Sequence, residues 1–229
     1  MLHDCVAEII PIEPDAGNAA AGIASTIVMV CEAVSIPYRL FKYANRGTSA
    51  NDNSMRYLCV LTIAGSDSCG GAGVQADIKT MSALGVYAAS AITSVTVQNT
   101  LGVKAIQAIE PAIVAGQIKA VMDDVKPVAI KIGMVNDCAT IHAIADSLSS
   151  YSPSKLVVDP VMTSTSGSML MQRDALEVFC SELLPMATLL TPNIPEAEVL
   201  SKTEIHTVND MDVAAKRILA MGCKAVLIK

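Results

Sequence analysis

The sequence predicts an α/β protein with a mostly parallel sheet covered by helices on both faces. Two observations carry this expectation. From residue 57 onward, apolar runs of strand length alternate with stretches of helical period. Polar residues also recur where the strand-like runs end, as they do in open sheets that bind ligands at the carboxyl ends of their strands. The expected strands are 57–63, 86–97, 103–109, 128–132, 155–159, 187–190 and 224–228. The expected helices are 74–84, 111–124, 137–149, 172–183, 194–201 and 208–221.

The first strand, Tyr57 to Ile63, runs into Ala64-Gly-Ser-Asp-Ser-Cys-Gly-Gly-Ala-Gly-Val-Gln-Ala-Asp77. Gly70, Gly71 and Gly73 permit backbone angles that other residues resist. Val74, Ile78, Met81 and Leu84 then recur at helical spacing. A strand thus feeds a glycine loop and a helix start, where free N–H groups and the helix dipole favour an anion or a polar ligand. Asp67 and Asp77 stand ready to orient a small polar substrate. The spacing is neither the dinucleotide fingerprint nor a Walker phosphate loop, because no Gly-Lys-Ser/Thr follows. Taken alone, it also fits a plain strand-to-helix connection.

Later strand ends carry further candidates: Gln98 and Asn99, then Gly133 and Met134, then Asp159 and Pro160. Thr191 to Glu196 and finally Lys229 complete the set. In the last helix, Met211, Ala214, Ala215, Ile218 and Leu219 share a face, and Gly222 stands where the helix should end.

Composition narrows the function classes. Of 229 residues, 52% are hydrophobic and 17% charged, which describes a packed domain rather than a disordered chain. Only 3% are aromatic, so aliphatic residues and Met must fill the core. A net charge of −6 without any basic run argues against a nucleic-acid surface. The seven cysteines are dispersed, with no Cys-x-x-Cys pair, and point to reduced thiols in a cytoplasm. His3, His142 and His206 are scattered and suit surface or packing roles.

Residues 1–54 are expected to form an N-terminal extension, with a polar linker over 46–54, and residues 55–229 the main domain. The start lacks the positive region of a secretory signal. Ala19 to Cys31 is apolar but shorter than the ~20 residues of a membrane span, so no membrane association is expected.

Each candidate has a functional and a plain reading. Asp77 either serves a substrate or is a solvated carboxylate near a helix start. Gln98 ends Val95-Thr-Val-Gln, where its carboxamide either pairs with a donor and an acceptor of a ligand or caps a turn. Met134 is a soft wall for a flat ring or simply core. Asp159 ends a strand, where its plain reading is a cap on the Thr163–Gly167 loop. Pro195 and Glu196 make a good helix start whether or not Glu196 binds metal.

Five strings together resemble the hydroxymethylpyrimidine/phosphomethylpyrimidine kinases of the ribokinase-like superfamily: the glycine string through Asp77, Gln98-Asn-Thr100, Lys131-Ile-Gly-Met134, Val157-Val-Asp-Pro160 and Asn193-Ile-Pro-Glu196. The resemblance implies a three-layer α/β/α fold, incomplete at its C-terminal end. It implies transfer of the ATP γ-phosphoryl to 4-amino-5-hydroxymethyl-2-methylpyrimidine, and then to its monophosphate, in thiamine synthesis. It assigns Gly65, Asp77, Gln98 and Met134 to the pyrimidine. Asp159, Asn193 and Lys229 go to ATP and its phosphates, and Glu196 to Mg2+. A homodimer is also expected. Family members continue past the lysine to a Gly-Thr-Gly anion hole and a catalytic residue. That motif is absent from the 229 residues, so the catalytic group is expected beyond Lys229 and the activity of this chain is in question. A pyrimidine-binding module without activity and a pyridoxal kinase are the alternatives.

Overall fold

The computed structural model describes residues 58–163, 170–172 and 174–229. The expected extension, and all but Thr163 of the Thr163–Gly167 loop, lie outside these residues.

Strand β1 (Cys59–Asp67) is buried on both faces, which suits the centre of a parallel sheet. It pairs in parallel with β2 (Tyr87–Asn99) and with β4 (Ala129–Ile132). β5 (Leu156–Val158) and β6 (Leu189–Leu190) continue the parallel set. β3 (Gly102–Ala108) folds back antiparallel to β2 at the edge. The order is β3-β2-β1-β4-β5-β6. The chain leaves β1 toward β2 and later returns to its other side at β4. The order therefore reverses beside β1, the position where such sheets open a crevice for ligands.

Side-chain alternation divides the core between the two faces. Leu61, Ile63, Ile130, Ile132, Leu156 and Val158 face the larger core. There they meet helices α2 (Pro111–Asp124) and α3 (Cys138–Ser149), with Ile118, Ile141, Ile144 and Leu148 fully buried. Val60, Ala129 and Val157 face the smaller core with Met81 of helix α1 (Gly73–Ala83). Phe179 is the one aromatic among the largest fully buried side chains, in keeping with an aliphatic core.

Three segments depart from expectation. β1 does not stop at Ile63 but continues through the glycine-containing string to Asp67, because Ser66 and Asp67 find partners in Val95 and Thr96 after a shift in register. Segment 172–183 is α-helical only as α4 (Ala175–Val178), followed by a wider turn over Phe179–Leu183 and a tight one over Leu184–Met186. Its buried residues Ala175, Phe179 and Leu183 are four apart. A 3.6-residue turn would drift off that stripe, and a wider turn stays on it. Segment 224–228 forms no full strand: Val226 makes a single parallel bridge with Leu190. Helices α5 (Ile194–Ser201) and α6 (Val208–Leu219) both begin with a reciprocal capping box.

Candidate functional site

The glycine loop is closed by its own acid. Asp67 Oδ1 accepts from Cys69 N at 2.8 Å, and Oδ2 accepts from Gly71 N at 2.9 Å and Ala72 N at 2.8 Å. Gly70 N donates to Asp67 O at 2.9 Å. The N–H groups of loop residues 69–72 are therefore taken up by Asp67, which shapes the loop, while no side chain caps the start of α1. Gln75 fastens the loop to β1 by donating to Ser66 Oγ at 2.7 Å and accepting from Asp67 N at 2.8 Å. Asp67→Ala removes the shared acceptor of three N–H groups, those of the exposed Cys69 and Gly71 and the half-buried Ala72. It should lower stability by about 2–3 kcal/mol in urea unfolding.

Asp77 lies on the buried stripe of α1 with Val74 and Met81. It is fully buried. Its carboxylate accepts from Lys131 Nζ at 3.0 and 3.3 Å and from the Thr62 hydroxyl. Thr62 and Lys131 are direct register partners on β1 and β4, at the reversal of strand order. Period two places Lys131 and Gly133 on one face. A Cβ at Gly133 would lie 2.7 Å from Lys131 Nζ, so this glycine leaves room for the ammonium. Asp77 is thus neither a solvated helix carboxylate nor open to solvent.

Gly65 and Met134 meet directly: a Cβ on Gly65 would come within 2.6 Å of Met134 Cε and 2.8 Å of Ser94 Oγ. The register shift between β1 and β2 sets Thr93 and Ser94 opposite Gly65, a bulge that re-aims both side chains. Thr93 Oγ1 donates to Met134 O at 2.8 Å and fixes that backbone. Gln98 sits at the end of β2, half-buried. Its Oε1 shares the Thr96 hydroxyl at 3.2 Å, and its main chain exchanges hydrogen bonds with Ser68 Oγ of the glycine loop. Its Nε2 has no partner among the described residues.

A second group gathers at the ends of β5 and β6. Asp159 Oδ1 accepts from Lys229 Nζ at 2.8 Å and from Thr191 Oγ1 at 3.2 Å. Asn193 caps α5 by accepting from Glu196 N at 2.8 Å, and Glu196 Oε2 accepts from Asn193 N at 2.8 Å. Glu196 also accepts from Met162 N at 3.4 Å. Burial pushes the Glu196 carboxyl above the usual range and nearby Asp159 adds to this, while the Asn193 N–H and Lys229 oppose it.

Sequence reasoning assigned no role to Thr62, Lys131 or Ser94. Lys131 had a legible signal: a lysine within the apolar strand Ala129-Ile-Lys-Ile132 is costly to bury unless it is paired. The structure joins Gly65 to Met134, and Asp159 to Lys229 and the Asn193–Glu196 cap. Among the described residues, no three His, Cys, Asp or Glu side chains form a metal cluster, and no helix is long and apolar enough to cross a membrane.

A family model for phosphomethylpyrimidine kinase matches residues 67–229. A hydroxymethylpyrimidine/phosphomethylpyrimidine kinase of Rhizobium meliloti is 49% identical over 170 residues, 74% of this chain and 64% of that protein. A bifunctional thiamine biosynthesis protein of Geobacter sulfurreducens is 47% identical over 170 residues, 74% of this chain and 35% of that protein. The chain thus spans about a third to two thirds of the length of these curated relatives. The crystal structure of a phosphomethylpyrimidine kinase from Clostridium difficile aligns with a TM-score of 0.72 at 49% identity, covering 75% of this chain and 74% of the other. A pyridoxal kinase from Staphylococcus aureus, in complex with AMP-PCP and pyridoxal, aligns with a TM-score of 0.67 at 32% identity, covering 76% and 62%.

Proposed function

Because the chain belongs to the phosphomethylpyrimidine kinase family, we propose that it binds 4-amino-5-hydroxymethyl-2-methylpyrimidine and serves its ATP-dependent phosphorylation, and that of its monophosphate, in thiamine biosynthesis. The observation that carries this reading is the family match over residues 67–229, which contains Asp77, Gln98, Met134, Asp159, Asn193, Glu196 and Lys229. Identity to a phosphomethylpyrimidine kinase structure is 49%, against 32% to the pyridoxal kinase, which favours the pyrimidine over pyridoxal.

Gly65 and Met134 form the apolar wall of the pyrimidine side, with Met134 yielding to a flat ring. Gln98 reads the ring through its carboxamide, whose Nε2 is available. Asp77 belongs to this side as the carboxylate of a buried pair with Lys131. Lys229 and Asn193 serve the phosphates: Asn193 spends Oδ1 on its helix cap, which leaves Nδ2 to donate.

Asp159 and Glu196 fit a magnesium ion, which is usually held by one or two carboxylates together with substrate phosphates. Bound there, the ion neutralises phosphate charge. A homodimer belongs to the same proposal. Val95 and Val97 share an exposed face of β2, and Leu101 at the hairpin turn is also exposed. A second copy covering this hairpin would remove apolar surface from water. Sedimentation velocity should report a dimer that Val97→Lys dissociates. A cytoplasmic setting suits the free thiols of Cys59, Cys69, Cys138, Cys180 and Cys223.

Calorimetric titration tests the function. The chain should bind the hydroxymethylpyrimidine, and Gln98→Leu should weaken that binding by about 1–3 kcal/mol with a smaller effect on ATP. Equal losses for both ligands would remove Gln98 from the ring.

A further inference from the structure

We propose that the Lys131 ammonium is a further ligand-binding group, which donates a hydrogen bond to the hydroxymethyl oxygen of the bound pyrimidine. The inference rests on the pyrimidine reading of the site. An ammonium carries three N–H donors and no acceptor. The Asp77 oxygens at 3.0 and 3.3 Å absorb at most two of them, and one of these oxygens already takes the Thr62 hydroxyl. No other described residue accepts from Lys131. A donor therefore remains unmatched on a side chain that is almost wholly buried.

The direction of the side chain says where that donor leads. Nζ does not stay beside its own backbone but lies 2.7 Å from where a Cβ of Gly133 would be. Lys131 thus runs along β4 toward its carboxyl end, where ligands bind in such sheets. Sheet order supplies the rest. β4 stands between the β2–β1 pair, which bears Gln98 and Gly65, and β5, which leads into Asp159. A ligand with its ring at Gln98 and its phosphoryl acceptor toward Asp159 must cross β4. The group at the crossing is the hydroxymethyl arm, and its oxygen is an acceptor. Asp77 then acts as a positioning residue that holds the ammonium in place.

The test compares two ligands on the full chain: 4-amino-5-hydroxymethyl-2-methylpyrimidine and 4-amino-2,5-dimethylpyrimidine, which lacks only the hydroxyl. The wild type should prefer the first by about tenfold or more in calorimetric titration. The pair variant Asp77→Leu/Lys131→Met removes the ammonium without leaving a lone buried charge. Folded by circular dichroism, it should bind both ligands with a ratio near one. Gly133→Ala offers an independent route, because it displaces Nζ and keeps both charges, and it should also lower the ratio. Either folded variant retaining the wild-type ratio would overturn the inference. A wild type that binds both ligands equally would overturn the inference alone and leave the pyrimidine reading standing. A wild type that binds neither would overturn that reading and the inference with it.

Discussion

Gly73→Ala is expected to lower stability by about 3–5 kcal/mol. Gly73 holds a φ of +56°, where an L side chain alone costs about 1–2 kcal/mol. The larger part is a collision: a Cβ here would lie 2.1 Å from Gly65 O. That obstacle is backbone, anchored in the extension of β1 and in the bridge between Ser66 and Gly73, so no rotamer change relieves it. Gly116→Ala is the matched control. Gly116 lies within α2 with nothing within 4 Å of its missing Cβ, and alanine there should stabilise by about 0.5–1 kcal/mol. Urea unfolding of the two variants should move in opposite directions. A Gly73→Ala midpoint equal to that of the wild type would mean that the loop is not held against β1.

The contrast between these glycines also indicates what the sequence could reveal. Element types were legible wherever local chemistry and tertiary packing agreed. Pro111 at a helix start and the Asn193–Glu196 box mark helices whose bounds match expectation at 111–124 and 194–201. The loop after Ile63 was legible as a place but not as a geometry. Asp67 takes up the N–H groups of Cys69, Gly71 and Ala72, and four of the loop's residues extend β1 instead. Which acceptor takes those groups depends on how the chain folds back, and spacing does not reveal that. Asp77 is legible as a site candidate, and its burial rules out only the plain reading of a solvated carboxylate. Helical period puts it between Val74 and Met81 on the inward stripe, so its burial was readable. Its partner Lys131 is 54 residues away, and only the pairing of β1 with β4 brings the two together. Likewise the contact of Lys229 with Asp159 spans 70 residues and arises from neighbouring strand ends.

That long-range pair leads to the second large effect. Lys131→Met should destabilise by about 3–5 kcal/mol, because it leaves the fully buried Asp77 without its cation and with only the Thr62 hydroxyl beside it. Asp77→Leu should cost a similar amount by stranding the ammonium. The pair variant should not cost the sum of the two. Two apolar side chains between Thr62, Val74 and Met81 need neither desolvation of charge nor a fixed geometry, and such replacements are often neutral or stabilising by about 1–4 kcal/mol. The cycle of four proteins, measured by urea unfolding at pH 7, should therefore give a coupling of several kcal/mol. Additive losses would show that water reaches Asp77 and Lys131, and that Gly133 leaves room for solvent rather than for the ammonium. Strong coupling together with a stable pair variant would mean that packing alone can hold this part of the sheet. That outcome would agree with the proposed ligand role of Asp77 and Lys131, because apolar residues at the reversal of strand order would then serve the fold as well.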